Sequence, residues 1–368
     1  MIDPMKKDKR RPLFLFSGLA ALLIIFFVSG FTRKKETESL KDRYKSFFPI
    51  GVAVRPSDLS GETAELIRAQ FNSITAENAM KMGPIHPEED RYFWKDADSI
   101  VNFATRNNMK VRGHTLCWHT QTPSWLFQDA AGKDVTKEPL LKRLEQHIKT
   151  VVRRYKGRVY AWDVVNEAIA DSATFLRKSK WFEIAGEDYI AKAFEYAHEA
   201  DPTAILFYND YNTEIPTKRT KIYRLLKNLL DQGVPIHGVG LQGHWSVSYP
   251  NREELEESIR LFSSLGIQVQ FTELDISVYS GQQGGRLSKD HQPSATASFT
   301  AEMEQQQLEK YKMAFEIFRR HKRAITGITF WNVSDRYSWL DNRGKKNFPL
   351  LFDQDLKPKK AFWEVIRF

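Results

Sequence analysis

The sequence has a single cysteine, Cys117, among 368 residues. No intrachain disulfide can form, so the fold has to rest on its hydrophobic core. The lone thiol is also a weak candidate nucleophile, because a reactive thiolate needs a basic or cationic neighbour to stabilise it. We therefore interpret Cys117 as a small, buried hydrophobic side chain.

The net positive charge is small outside the N-terminus, although the whole chain carries a formal net charge of +9. Residues 1–35 hold eight basic and two acidic side chains, so they contribute +6 and leave +3 for the other 333 residues. No basic stripe interleaved with aromatic residues is visible along the body of the sequence. We therefore expect no nucleic-acid partner.

Long apolar runs are absent too, apart from the stretch from Leu13 to Phe31, which follows a cationic start. This pattern indicates an export signal. The run is long for a cleaved signal peptide and near the lower limit for a membrane span, so an uncleaved anchor stays open as an alternative. Residues 28–30, Val-Ser-Gly, loosely fit a cleavage site, and Met5 is an alternative start to Met1.

We expect an exported protein, periplasmic or extracellular, whose N-terminal segment engages the membrane during export or stays in it as an anchor. The predicted domains are a signal peptide or signal anchor at residues 1–35, a linker at residues 36–43 and a single catalytic domain at residues 44–368. A composition of 42% hydrophobic and 13% aromatic residues suffices for one large core. We expect a monomer.

Short apolar runs alternate with helical patterns over the catalytic domain, which is typical of βα units that build a parallel sheet. The predicted strands are Pro49–Val54, Asn72–Ala76, Lys110–Thr115, Val159–Val165, Ile205–Asn209, Gly238–Gln242, Gln268–Glu273 and Gly327–Trp331. The predicted helices are Glu62–Gln70, Asp96–Asn107, Leu140–Tyr155, Glu187–Ala200, Thr217–Gln232, Arg252–Leu265 and Met303–His321. Eight strands close a barrel, so the predicted fold class is an α/β protein with a (β/α)8 TIM barrel.

Glycines mark the ends of two predicted helices, with Gly233 and Gly266 just beyond the last turn. The stretch from Ser280 to Ser298 is rich in Gly, Ser and Gln, and we predict a long mobile loop there.

Two carboxylates end two of the predicted strands, Glu167 in WDVVNEA and Glu273 in TELD. In a (β/α)8 barrel the carboxyl ends of the strands meet at one rim, where catalytic residues lie. Hydrolysis of a glycosidic bond needs two such groups, because one donates a proton to the leaving oxygen while the other faces the anomeric carbon. The neighbouring strands also end in polar or aromatic residues, which together favour a cleft that binds a polyol.

Seven motifs follow in order along the chain: TAENAMK (75–81), RGHTLCWH (112–119), WDVVNEA (162–168), YNDYN (208–212), GLQGH (240–244), TELD (272–275) and WNVSDRYSWL (331–340). On these motifs the sequence resembles the endo-β-1,4-xylanases of glycoside hydrolase family 10 over residues 44–368. Two small departures are Cys117, where an aliphatic residue is usual, and Asn332, where glycine is usual. Both stand beside positions that contact substrate in the family.

The resemblance implies a retaining hydrolysis of xylan by double displacement, with Glu167 as acid/base and Glu273 as nucleophile. It also implies a set of side chains that bind sugar around the cleaved bond: Glu77, Asn78, Lys81, His114, Trp118, Gln121, Asn166, Gln242, His244, Trp331 and Trp339, with Tyr211 on the leaving-group side. Asn166 is placed to donate to a sugar 2-hydroxyl. His244 and Asp275 are expected to orient Glu273 and keep it ionised while Glu167 stays protonated.

Two other functions are open at this point. A zinc-dependent hydrolase could use His114, His119, His244 and Asp275 as ligands, but the first strand lacks the His-x-His pair that such barrels commonly use. A sugar-binding protein with an inactive catalytic pair belongs to a different class. We expect no metal and no cofactor, and xylan and xylo-oligosaccharides as the binding partners.

Overall fold

The structure is a computed structural model that describes residues 39–280, 298–341 and 346–368, together with the backbone of residues 282–283 and 286–287. The predicted N-terminal segment, residues 1–35, lies outside this range. So does nearly all of the loop predicted between Ser280 and Ser298, of which a short two-stranded hairpin is described. No helix in the described part of the chain is long and apolar enough to cross a membrane.

Eight parallel strands close into a barrel, which confirms the predicted fold class. They are β1 Ile50–Val54, β2 Ser73–Ala76, β3 Lys110–Cys117, β4 Ala161–Asn166, β5 Ile205–Asp210, β6 Gly238–Leu241, β7 Gln268–Ser277 and β8 Ile325–Phe330. Strand β8 pairs with both β7 and β1, which closes the sheet. One further short strand, His244–Ser246, pairs with residues 275–277 of β7.

Helices cover the outside of the barrel. They are α1 Leu40–Arg43, α2 Gly61–Gln70, α3 Met82–Ile85, α4 Lys95–Arg106, α5 Lys137–Arg154, α6 Lys180–Ala185, α7 Asp188–Ala200, α8 Pro216–Asp231, α9 Arg252–Ser263, α10 Ala301–Arg320 and α11 Lys360–Ile366. The seven predicted helices correspond to α2, α4, α5, α7, α8, α9 and α10. The short helices escape prediction because one or two turns carry little periodicity.

The predicted helix ends after α8 and α9 are confirmed. Gly233 and Gly266 have φ values of 73° and 75°, a left-handed conformation that glycine adopts without steric penalty. At its other end, α9 begins with a capping box in which the Asn251 side chain accepts from the Glu254 backbone N–H at 2.9 Å. Local sequence therefore sets where this helix starts and stops.

Helix α1 lies inside the segment that we predicted as a linker, residues 36–43. Leu40 is fully buried, and its backbone N–H donates to Gln70 Oε1 at 3.0 Å. The Tyr44 hydroxyl then donates to the Val365 carbonyl at 2.6 Å. These contacts tie the start of the described chain to α2 and to α11.

A charged network fills part of the barrel interior. The Arg112 guanidinium, 1% exposed, forms an ion pair with Asp163 and donates to Gln270 Oε1 at 2.7 Å. Asp163 also contacts His114 Nδ1 at 3.0 Å. Burial acts to raise the pKa of Asp163, but the charge of Arg112 and the hydrogen bond from His114 outweigh it and hold the pKa below its ordinary value. The network thus fixes His114 from below the cleft.

We predict that Asp163→Asn lowers the free energy of unfolding by roughly 3–5 kcal/mol, because Arg112 is left as a buried charge without its counterion. Asp231→Asn is the matched control, since Asp231 pairs with Lys227 on the surface at 2.7 Å and such pairs contribute at most about 1 kcal/mol. Urea denaturation of both variants measures the difference. Equal losses would contradict the assigned role of the buried pair.

Candidate active site

A cleft of about 540 Å³ opens at the carboxyl ends of the barrel strands. Every residue predicted to be catalytic or sugar-binding lies on its walls, namely Glu77, Asn78, Lys81, His114, Trp118, Gln121, Asn166, Glu167, Tyr211, Gln242, His244, Glu273, Trp331 and Trp339. The cleft also contains residues that we did not predict as site residues: His119, Thr120, Asp171, Arg177 and Asn212. Asp275 lies behind the wall and is fully buried.

Glu273 projects from β7 and is 5% exposed. Its Oε1 accepts from Asn209 Nδ2 at 2.8 Å, and its Oε2 lies 3.0 Å from His244 Nε2. Burial acts to raise the pKa of this carboxyl. The hydrogen bond from His244 and the electrostatic effects of the neighbouring His114, His244 and Lys81 side chains outweigh burial, so the pKa of Glu273 is below its ordinary value. Glu273 is therefore ionised at neutral pH.

His244 is held between two carboxylates. Its Nδ1 lies 3.0 Å from Asp275 Oδ2, opposite the contact with Glu273. The short strand places His244 in register with Asp275, and the two-residue period of β7 puts Asp275 and Glu273 on the same side. Burial acts to lower the pKa of His244, but Asp275 and Glu273 together raise it to about 10. An imidazolium thus faces Glu273 throughout the neutral range.

Glu167 has a different environment. Its backbone adopts the left-handed region, with φ 58°, and its N–H donates to the Asn209 carbonyl at 2.9 Å. Such strain in a residue other than glycine persists only where surrounding contacts fix it, and it is common at functional sites. The carboxylate accepts from Trp118 Nε1 at 2.9 Å and from Gln242 Nε2 at 3.0 Å. Both of these donors are neutral.

His119 approaches the same carboxylate, with its Nδ1 3.9 Å from Glu167 Oε2. Burial and the nearby charge of Arg177 lower the pKa of His119 to about 4. The imidazole is therefore neutral at neutral pH and adds no positive charge beside Glu167. The two carboxylates thus differ in what surrounds them, since an imidazolium contacts Glu273 and neutral groups contact Glu167.

A chain of amides connects the two carboxylates. Asn209 Nδ2 donates to Glu273 Oε1 and, at 2.9 Å, to Asn166 Oδ1. Gln242 Nε2 in turn donates to Asn166 Oδ1 and to Glu167 Oε1. The Thr272 hydroxyl donates to Asn209 Oδ1 at 2.6 Å, which leaves the amide nitrogen to face Glu273. We did not predict Asn209 as a site residue. The feature that could have identified Asn209 is its position in the YNDYN motif at the end of β5. The structure places it in register with Asn166 on β4.

On one side of the cleft, Glu77 is oriented by two donors. Asn332 Nδ2 donates to its Oε2 at 3.0 Å, and the Tyr337 hydroxyl donates to its Oε1 at 3.0 Å. Asn332 has φ 104°, a region that favours glycine, which gives a physical reason why glycine is usual there. Beside Glu77, Lys81 Nζ donates to Asn78 Oδ1 at 3.0 Å and lies over the Trp118 ring. These groups offer donors and acceptors to sugar hydroxyls.

The predicted pair of indoles follows β8. Trp331 is buried and packs edge-on to His114, with ring centres 5.4 Å apart. Trp339 is 37% exposed, and its Nε1 donates to Asp275 Oδ2 at 2.7 Å. Because Asp275 also holds His244, the position of Trp339 is coupled to the carboxylate clamp. We define that clamp as His244 and Asp275 around Glu273.

An ionic cluster surrounds Tyr211 on the predicted leaving-group side. Arg177 Nη2 donates to the Tyr211 hydroxyl at 2.8 Å, and its Nε donates to the Glu167 carbonyl at 2.9 Å. Lys218 lies 3.5 Å from the centre of the Tyr211 ring and pairs with Asp171 at 2.9 Å. Arg177 and Asp171 stand in a loop with no periodic signal, so no sequence pattern selects them as site residues.

The structure does not assemble the alternative zinc site. His114 contacts Asp163, His244 lies between Glu273 and Asp275, and His119 faces Glu167. Within the described residues, no group of three or more His, Cys, Asp or Glu side chains is arranged to hold a metal ion. Cys117 is buried, and burial raises the pKa of its thiol well above the ordinary value, as expected for a packed hydrophobic side chain.

Comparison with known proteins identifies the family. Residues 39–368 match glycosyl hydrolase family 10. The chain belongs to this family. It is 48% identical over 335 residues to endo-1,4-beta-xylanase B of Paenibacillus barcinonensis, which covers 90% of this chain and 98% of that protein. It is 49% identical over 362 residues to a beta-1,4-xylanase of Dictyoglomus thermophilum, covering 96% of this chain and 99% of that one.

A solved structure agrees with this assignment. The crystal structure of xylanase XynB from Paenibacillus barcinonensis, in complex with a conduramine derivative, aligns with a TM-score of 0.86 over 90% of this chain and 99% of that chain. Family 10 membership makes the protein a glycoside hydrolase. Two carboxylates in one cleft, one ionised and one among neutral donors, are the groups that such a reaction needs.

For this family 10 hydrolase we predict that His244→Asn shifts the acidic limb of the kcat/KM pH profile to higher pH. Glu273 loses a donor and a positive charge while it stays buried, so its pKa rises. Loss of a charged donor at the reacting centre lowers kcat about a hundredfold or more. The profile of His321→Asn serves as control, because His321 follows α10 at the opposite end of the barrel. An unshifted limb in His244→Asn would mean that the clamp does not set the ionisation of Glu273.

Proposed function

We propose that the protein is a retaining endo-β-1,4-xylanase that acts as a monomer, with Glu273 as nucleophile and Glu167 as acid/base. The observation that carries the assignment of roles is the difference between the two environments. Glu273 contacts an imidazolium whose pKa is about 10, whereas the Glu167 carboxylate accepts hydrogen bonds from a neutral indole and a neutral amide. A nucleophile has to be ionised, and an acid has to hold its proton.

In the first step Glu273 attacks the anomeric carbon while Glu167 donates its proton to the leaving oxygen. The glycosidic bond breaks, and a covalent bond between sugar and Glu273 forms. In the second step Glu167 takes a proton from water, which attacks the same carbon and releases Glu273. Two inversions at one carbon retain its configuration. Asn166 Nδ2 points toward Glu167 at 3.3 Å and is available to donate to the sugar 2-hydroxyl.

Xylan as substrate is supported by the relatives and by the shape of the cleft. The relatives from Paenibacillus barcinonensis and Dictyoglomus thermophilum are named xylanases. Trp331 and Trp339 stand over the part of the cleft next to His244, with ring centres 6.2 and 4.6 Å from that imidazole. Xylose lacks the exocyclic hydroxymethyl of glucose, so it fits beneath these indoles with fewer atoms to accommodate.

Replacing Glu273 and replacing Glu167 should have different effects on catalytic activity. Glu273→Ala should be inactive on every substrate, because the first step needs the nucleophile. Glu167→Ala should still release an activated phenolate, which leaves without protonation, and azide should restore part of its turnover. Steady-state kinetics on an aryl β-xylobioside measures both. Equal loss in the two variants, without rescue by azide, would refute the assigned roles.

The xylan preference should depend on Trp339. We expect kcat/KM for an aryl β-xylobioside to exceed that for the aryl β-cellobioside by about ten- to two-hundredfold, since added atoms in a packed pocket cost roughly 1–3 kcal/mol. Trp339→Ala should narrow this ratio. Trp339→Phe is the control that also lacks the hydrogen bond to Asp275 but keeps an aromatic ring. A wild-type ratio near one, or products from xylan consisting only of single sugars, would contradict endo-xylanase specificity.

Export is proposed on the Leu13–Phe31 run and its cationic start. The similarity to the Dictyoglomus thermophilum xylanase covers 96% of the chain and so extends before residue 39. We predict that the barrel lies outside the cytoplasmic membrane. N-terminal sequencing of the mature protein distinguishes cleavage near residue 30 from a retained anchor. Recovery of the intact protein from the soluble cytoplasmic fraction would contradict both forms.

A further inference from the structure

A basic patch lies at the end of the barrel opposite the cleft, where strands begin and helices end. It consists of Lys41, Arg43, Lys45, Arg68, Lys322 and Arg323. All but Lys41 are exposed, and Lys41 is half-buried with its ammonium group bonded to the Arg68 carbonyl. These side chains come from three separate stretches of sequence. The fold gathers them, which is why no basic stripe is visible along the chain.

The basic patch keeps an excess of positive charge, although Asp42 is exposed on α1 between Lys41 and Arg43 and offsets part of it. Nearby Arg260 and Arg320 pair with Glu257 and Glu256. None of the six patch residues forms an ion pair with a carboxylate in the part of the chain that the structure describes. The body of the protein carries a net charge of only +3, so the patch is a local concentration of positive charge. It faces away from the catalytic cleft.

Aromatic side chains are interleaved with these cations. Phe368, whose ring contacts Arg43, is 43% exposed. The guanidinium groups of Arg43 and Arg319 lie 4.2 and 4.1 Å from the centre of the Phe368 ring. Lys322 lies 4.9 Å from the centre of the Phe47 ring. Cations mixed with partly exposed aromatic rings are typical of surfaces that bind lipid headgroups.

The N-terminal segment joins the barrel at this same end. Helix α1 begins after its N-cap residue Ser39 and carries Lys41 and Arg43. Only residues 32–38 separate it from the apolar run that ends at Phe31, and seven residues span at most roughly 25 Å. A segment held in the membrane would therefore keep the patch close to the headgroups.

We propose that the basic patch docks the barrel on anionic lipid headgroups, with the catalytic cleft directed away from the membrane toward the polysaccharide. The inference rests on the proposed export of the protein and does not depend on the proposed catalytic roles. Each basic side chain near an anionic surface strengthens partitioning about fivefold. Loss of several of them should therefore be measurable without any change at the cleft.

The test uses residues 36–368, without the apolar run. A fragment of this extent is expected to fold, because the Paenibacillus barcinonensis crystal structure matches 90% of this chain over 99% of its own length. Sedimentation is measured with vesicles of phosphatidylcholine alone and with vesicles that also contain phosphatidylglycerol. The variant is Lys45→Glu/Lys322→Glu/Arg323→Glu. The matched control is Lys133→Glu/Lys178→Glu/Lys357→Glu, three exposed lysines in the loops after β3, β4 and β8.

We expect binding to the anionic vesicles only, release by salt, at least about a hundredfold weaker partitioning in the patch variant, because three positive charges are lost and three negative ones added, and little change in the control. Xylan hydrolysis and thermal unfolding, measured in parallel, should be the same in wild type and patch variant. The proposal is overturned by equal binding to neutral vesicles, by absence of binding, by equal partitioning of the two variants, or by tighter binding to duplex DNA than to the anionic vesicles. Loss of hydrolysis in the wild-type fragment would instead argue against the proposed enzymatic function.

Discussion

The imidazolium of His244, held between Glu273 and Asp275, is the interaction on which the chemistry of the cleft depends. A carboxylate as buried as Glu273 has a raised pKa unless a positive charge offsets the loss of hydration. His244 supplies that charge, and Asp275 in turn keeps His244 protonated. Because its pKa is raised from 6.5 to about 10, His244 contributes stability that is fully present below pH 6.5 and is lost as the pH rises through about 10.

The barrel makes this clamp possible by fixing backbone positions before the side chains meet. Register places Asn209 beside Asn166, and the short strand places His244 beside Asp275. Below them the buried pair of Arg112 and Asp163 holds His114, whose side chain also contributes to the lowered pKa of Glu273. Glu167 lacks a charged partner of this kind and instead contacts Trp118 and Gln242. One rim of eight strand ends thus creates two different environments a short distance apart.

Much of this architecture was predictable from sequence, for identifiable physical reasons. Buried strands appear in the sequence as continuous apolar runs, and long helices appear as a periodic pattern. For this reason the eight barrel strands were predicted, and so were the seven helices that are longer than two turns. Glu167 and Glu273 were found because a carboxylate at a strand end is conspicuous, whereas the sugar-binding residues were implied by the resemblance to family 10. Arg177, Asp171 and the basic patch were not predicted, because the residues that they contact in the structure are distant in the sequence. The strand His244–Ser246 was not predicted, because three residues are too few to show a pattern. It pairs with residues 275–277, which explains why β7 continues to Ser277.

The central claim is that Glu273 is the ionised nucleophile and Glu167 the proton donor. An activated 2-deoxy-2-fluoro-xylobioside slows both steps and, with a good leaving group, leaves the glycosyl-enzyme to accumulate. Digestion with trypsin after trapping separates residues 261–286, which contain Glu273, from residues 159–177, which contain Glu167. The account predicts that mass spectrometry finds the sugar on residues 261–286, at Glu273. A label on residues 159–177, or no covalent adduct despite inactivation, would contradict it.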